Sequence, residues 1–174
     1  MSYPLSPEHQ ILERMKTVAI AANLHTAFGL TDPFKIRHTR NRVSMKTERP
    51  CIAFRMVNVQ LDPDRQQVHS QAEVCWEMTV DVIVDMELAL EPDGGGDDPT
   101  GWNQLAATAH AVVNLFLDPA SDLLTLVDDT LPGDVDPDED STPDNGRLAQ
   151  SIVVLYRTLR SDLNHLLNSE ENAP

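Results

Sequence analysis

Asp81, Asp85 and Glu87 stand at odd positions of one stretch of chain, with Glu77 four residues before Asp81. On a β-strand, residues of like parity share a face, so these carboxylates would stand in a row. Such a row could hold divalent ions for hydrolysis, provided it converged with waters and substrate in a dry pocket. No conspicuous base or phosphate clamp accompanies it. A second acidic group, Asp134, Asp136, Asp138, Asp140 and Asp144, offers the oxygen ligands and close spacing that calcium prefers. Counted from Asp134, however, the glycine of a calcium loop is replaced by Glu139 and its closing glutamate by Asn145. Counted from Asp136, the same places hold Ser141 and Arg147. A solvated acidic loop fits these departures better.

The histidines (His9, His25, His38, His69, His110 and His165) are scattered, and none stands four residues from another. Cys51 and Cys75 are the only cysteines, and both fall in stretches that read as strands. They are expected to be reduced, partly buried thiols, and two cysteines so spaced make no zinc motif. Nucleophile elbow, phosphate-binding glycine loop and dinucleotide fingerprint are all missing. The triple glycine Gly94, Gly95 and Gly96 is flanked by acids that would repel phosphate. The expectation is therefore a protein that is not an enzyme and has no metal site or cofactor. A metal-dependent hydrolase using the acidic strand face is the distant alternative.

The element that must position the acidic row is the longest alternation in the chain. From Val74 to Leu90 every even residue is apolar, which predicts a strand with one dry face and one acidic face. At about 3.4 Å per residue it would span roughly 55 Å. Most strands have about five to six residues. Either this one bends across the domain as a central strand, or part of it projects and pairs with another chain.

Around it, Ser6 can cap a helix with Pro7 at its first position, running to about His25, with Ile11, Met15, Val18 and Ala22 on one face. A basic segment with a short strand follows Pro33. Pro50 opens another strand, in which Ile52, Phe54 and Met56 share a face before the phase jumps to Val57, Val59 and Leu61. That jump predicts a β-bulge, and the strand should pair antiparallel with the long one. Trp102, Leu105, Ala109, Val112 and Phe116 recur at helical spacing from Pro99 or Thr100 until Asp118 and Pro119. Ser121 can cap a further turn carrying Leu123, Leu124 and Val127. Ile152, Val154 and Tyr156 alternate with Val153, Leu155 and Arg157 in a last strand that reads as covered on both sides. The fold class is α+β: a mostly antiparallel twisted sheet packed against two main helices, in the order helix, strands, helix, strand. Residues 1–174 should form a single domain, with a flexible Gly-rich connection at 91–99, a mobile acidic loop at 128–146 and a frayed tail at 163–174.

The net charge of −15 argues against nucleic-acid binding as the main function. No run has the length and apolarity of a membrane span, and the amino terminus lacks the features of a signal peptide. Charge is unevenly placed: between Arg65 and Arg147 there is no Lys or Arg. Folding could bring the basic first third onto this acidic stretch and cancel the field. The other reading is a subunit with one positive and one negative flank, suited to a ring interface. On that reading Arg37, Arg40, Arg42 and Arg49 are candidate interface residues, and Glu77, Asp81, Asp85 and Glu87 line a lumen or subunit joint.

Several segments together carry a resemblance. The amino-terminal amphipathic helix, the strand opened by Glu48-Arg49-Pro50-Cys51-Ile52, the alternating strand with Trp76, the second helix and the closing Val153-Val154-Leu155-Tyr156-Arg157-Thr158 resemble the tail terminator proteins of long-tailed bacteriophages and related tail-like particles or gene transfer agents. The likeness runs from about Ile11 to Asp162. It implies that Arg49, Pro50 and Cys51 open a sheet strand, that Trp76 anchors the core, and that Tyr156, Arg157 and Thr158 lie in the final strand of the same sheet. It also implies a virion protein, assembled in the host bacterial cytoplasm, that forms a hexameric ring at the tail-neck junction. The implied partners are other copies of itself, the tail tube protein and a neck or connector protein, with DNA passing through the lumen. The alternative within this class is another neck or head-completion protein.

Overall fold

The computed structural model describes residues 5–39, 49–67, 71–87, 99–137 and 145–167. Its elements, in order, are α1 (Pro7–Ala22), the single turn α2 (Leu24–Ala27), β1 (Lys35–Thr39), β2 (Cys51–Leu61), the single turn α3 (Pro63–Gln66), β3 (Glu73–Glu87), α4 (Pro99–Leu117), a 3-10 turn (Asp122–Thr125), β4 (Asp129–Pro137), β5 (Asn145–Leu159) and β6 (Asp162–Leu166). The strands form one six-stranded sheet in the order β1-β2-β3-β5-β4, with β6 also paired to β5. Only the β1–β2 pair is parallel. This is the α+β class, with a mostly antiparallel sheet.

The alternating segment becomes β3, the centre of the sheet. It pairs with β5 without interruption from Glu73 to Glu87, and with β2 from Trp76 to Asp85. From Trp76 to Asp85 both of its sides are filled by its own chain, so over these residues no part of it projects to meet a neighbour. Leu88, Ala89 and Leu90 lie outside the described residues. The irregularities fall in the flanking strands instead: β2 shifts register between Met56 and Asn58, as the phase jump predicts, and β4 shifts between Pro132 and Val135. At the second bulge, a Cβ on Gly133 would come within 2.8 Å of the Ser151 Cβ, so only glycine lets the two strands approach this closely.

The dry face of β3 is buried as its period requires. Met78, Val80, Val82 and Val84 join Ile52 and Phe54 of β2 and Ile152, Val154 and Tyr156 of β5. Over them lie Ile11 and Met15 of α1 and Leu105, Ala109, Val112 and Phe116 of α4. Phe54 and Phe116 meet edge to face at 5.5 Å, a favourable aromatic geometry. Ser6 caps α1, with Pro7 at its first position. Asn23, in the left-handed conformation, closes it three residues after Ile20, so the helix ends before His25. Asp62 caps α3, and Ser121 caps the 3-10 turn. Trp76 sits at the margin of the core, its Nε1 donating to Thr158 Oγ1 at 2.9 Å and its ring stacked near Tyr156.

Two expected loops prove to be strands. Asp129–Pro137 is β4, and β5 already begins at Asn145, so the acidic stretch forms sheet on both sides of residues 138–144, which lie outside the described residues. Leu163 and Leu166 belong to β6, which turns back along β5 in place of the expected frayed tail. Residues 91–98 and 168–174 are likewise outside the described residues, and Pro99 already belongs to α4. On the far side of the sheet Val153 and Leu155 are only half-buried, so β5 is fully covered on one face alone. Cys51 and Cys75 are fully buried, and burial pushes the Cys75 thiol up from its ordinary range.

Tyr156 ties sheet to helix. Its hydroxyl donates to Glu8 Oε1 in the first turn of α1 at 2.7 Å, and the side chain is fully buried. Burial, then the Glu8 bond and charge, push the phenol far above the ordinary 10.0. The folded chain therefore keeps this proton where an unfolded tyrosine loses it. Its contribution is complete below pH 10.0 and declines as pH rises further. Tyr156→Phe is expected to lower unfolding free energy at neutral pH by about 1–2 kcal/mol. It should also flatten the alkaline decline, as measured by urea unfolding on both sides of pH 10.0.

Candidate functional site

On the opposite face of β3 the carboxylates Glu73, Glu77, Asp81 and Asp85 recur every four residues, as the period of two allows. Register then decides what each one meets. Asp85 lies opposite Arg147 of β5, and Asp81 lies between Arg55 of β2 and Ser151 of β5. Glu77 faces Gln60, which donates to it at 3.1 Å.

Asp85 has no exposed surface. Arg49 Nε donates to its Oδ1 at 2.5 Å, while Arg147 reaches Oδ2 through Nε at 3.3 Å and Nη2 at 3.2 Å. Asp81 accepts from Arg55 Nε at 3.1 Å and Nη2 at 2.5 Å, and from Ser151 Oγ at 2.8 Å. At the other end of β3, the Arg157 guanidinium is clamped by Asp128 at 3.0 Å and by Glu73 at 2.9 Å. Arg65 binds the same Asp128 carboxylate. The Asp128 bond, opposed by burial and aided by Glu73, holds Arg157 charged well above its usual range. Such charge-assisted bonds fix the relative positions of strands more firmly than neutral ones.

This arrangement corrects two expectations. Arg49 is committed to an intrachain ion pair, so it is not a free positive handle for a partner. Asp81 and Asp85 are shielded and neutralised by arginines, so they do not make an open acidic wall. Of the four carboxylates expected there, Glu77 is half-buried and Glu87 is exposed. The basic first third does fold onto the acidic stretch, through Arg49 to Asp85, Arg55 to Asp81 and Arg65 to Asp128. Arg37 lies in β1, half-buried, and Arg40 and Arg42 are outside the described residues. A carboxylate already bonded by two guanidinium groups is a poor metal ligand, which weighs against hydrolysis on this face. Asp134 and Asp136 are placed in β4, and Asp138, Asp140 and Asp144 of the same acidic group lie outside the described residues.

Between the Asp81 cluster and the Asp128 cluster lies an apolar band. Leu131 of β4 is opposite Val153 of β5, and Leu155 is the next residue on that face. Leu131 is 44% exposed, and Val153 and Leu155 are half-buried. No helix of eight residues or more among the described residues packs over them.

A separate cluster appears where α1 crosses β1. His38 Nε2 is 2.6 Å from Glu13 Oε1, His9 Nε2 is 3.9 Å from the same oxygen, and the two imidazoles meet edge to face at 4.8 Å. The bond with His38 is the main cause holding the Glu13 carboxyl below its ordinary value, so its contribution is present at neutral pH and lost as pH falls through the carboxylate range. His9 and Glu13 are one helical turn apart, a signal visible in the sequence; His38 joins them only once β1 is placed beside α1. Among the described residues, this is the group of His, Cys, Asp and Glu side chains close enough to hold a metal ion.

A scan of the chain against protein-family models finds no match, and a search among curated proteins finds none either.

Asp85→Ala would remove the buried carboxylate that Arg49 and Arg147 share and is expected to cost about 3–5 kcal/mol. Asp81→Ala should cost less, because Arg55 is about a third exposed and can be hydrated. Urea midpoints of the two variants, measured side by side, check this order.

Proposed function

We propose that this chain is a structural virion protein that forms a ring, hexameric by its resemblance to tail terminators. The ring caps the completed tail tube, stops its polymerisation and joins the tail to the neck of the DNA-filled head. The observation that supports this best is the ion-paired face of the sheet. Asp81, Asp85, Asp128 and Glu73 are paired to arginines within the chain, its strands are cross-linked by these guanidinium–carboxylate bonds, and an apolar band of Leu131, Val153 and Leu155 is left between them. A rigid surface of this kind suits contact with a fixed neighbour. Interfaces are poor in charge at their centre and polar at the rim, and this band has that layout.

The action is then geometric. One side of the ring matches the last ring of the tube, the other matches a connector, and DNA passes through the lumen without sequence-specific contact. The net charge of −15 favours a passage that does not retain DNA, since like charges repel. That excess resides elsewhere than on the ion-paired face, where arginines balance the acids.

Electron microscopy of particles produced with and without this protein tests the reading. Overlong tails without heads are expected in its absence; tails of normal length joined to heads would overturn it. Leu131→Asp with Val153→Asp should leave the far-UV spectrum unchanged while abolishing ring formation in light scattering.

A further inference from the structure

The His9, Glu13 and His38 cluster lies between α1 and β1, apart from the ion-paired sheet face. We propose that these three side chains bind one divalent transition-metal ion of the zinc class, and that the ion clamps α1 onto β1.

The donor set selects the ion. Two imidazoles and one carboxylate suit zinc and its first-row neighbours, whereas magnesium and calcium require shells made mostly of oxygen. The geometry is close to what such an ion needs. All three ligand atoms lie within 4.8 Å of one another, with His38 Nε2 at 2.6 Å and His9 Nε2 at 3.9 Å from Glu13 Oε1. A tetrahedral zinc with bonds of about 2.0–2.1 Å sets its ligands about 3.3 Å apart. That value lies between the two observed separations. Small rotations about the soft terminal torsions of imidazole and carboxylate would bring both to it.

The backbone behind these side chains is already fixed. His9 and Glu13 stand one turn apart on α1, whose start is set by the Ser6 cap and Pro7. His38 is paired in register with Phe54, a fully buried residue of β2. An ion joining them would link a helix to the sheet across 25 residues of chain. Entry is open, because the side chains of His9, Glu13 and His38 are 38%, 41% and 27% exposed, leaving room for water to complete the shell. Lys16 approaches the other carboxylate oxygen, Oε2, at 3.8 Å, so Oε1 is left to the histidines.

The test uses the untagged, full-length, metal-free chain. Zinc titrated by calorimetry should bind at one ion per chain, and cobalt should give the visible absorption of a mixed nitrogen and oxygen site. Zinc should raise the melting temperature and magnesium should not. His9→Ala and His38→Ala should each weaken zinc binding about tenfold or more, the scale of one lost ligand contact. His25→Ala should leave it unchanged. Far-UV spectra check the folding of each variant; if His38→Ala disturbs it, Glu13→Gln removes the anionic ligand while keeping an acceptor for His38. Absence of zinc binding, binding unaffected by these substitutions, or an equal response to magnesium would overturn the proposal. None of these results depends on whether the chain forms rings.

Discussion

Asp85 is an ionised group with no exposed surface, and such a charge is tolerated only where partners replace the water it has lost. Its partners come from two directions: Arg49, immediately before β2, and Arg147 in β5. The carboxylate can be satisfied only when three consecutive strands of the sheet are aligned. A slip of β3 by one residue would turn Asp85 toward the aliphatic core and Val84 or Met86 toward the guanidinium groups. The hydrophobic alternation and the ion pairs thus impose the same register from opposite faces. The uninterrupted β3–β5 pairing is consistent with that agreement.

Much of this is legible in the sequence, because it rests on local rules. The dry side of β3, the Ser6 and Ser121 caps, the bulge after Met56 and the buried stripe of α4 are each set by a few neighbouring residues. β4 was not legible. Its run of Asp, Pro and Gly has poor strand propensity, and its extended form comes from pairing with β5 rather than from its own side chains. For the same reason the segment from Leu163 reads in sequence as a frayed tail, and only the return along β5 makes Leu163 and Leu166 part of a strand.

The acidic row shows a different limit. The positions of Asp81 and Asp85 on one face follow from the period of two, but their environment does not. Arg49 and Arg147 lie 36 and 62 residues away along the chain, and only the sheet order puts them on either side of one carboxylate. What reads in sequence as an exposed acidic wall is in the fold a set of satisfied pairs. The stretch without Lys or Arg is where the arginines of neighbouring strands arrive. His9, Glu13 and His38 were hidden similarly, since their meeting depends on α1 lying against a strand that the sequence marks only by basic residues.

The register shift in β4 has a consequence for how copies of this chain can associate. Pro132 and Pro137 have no N–H to offer, and the bulge around Gly133 breaks the row of backbone groups along the outer margin of the sheet. A second chain cannot readily lay a strand there and continue the ladder. Open-ended growth by sheet extension is thereby discouraged on this side, and any copies that met there would do so through side chains. An assembly built that way stops at the number its surface geometry closes, whereas one built from exposed strands has no natural end.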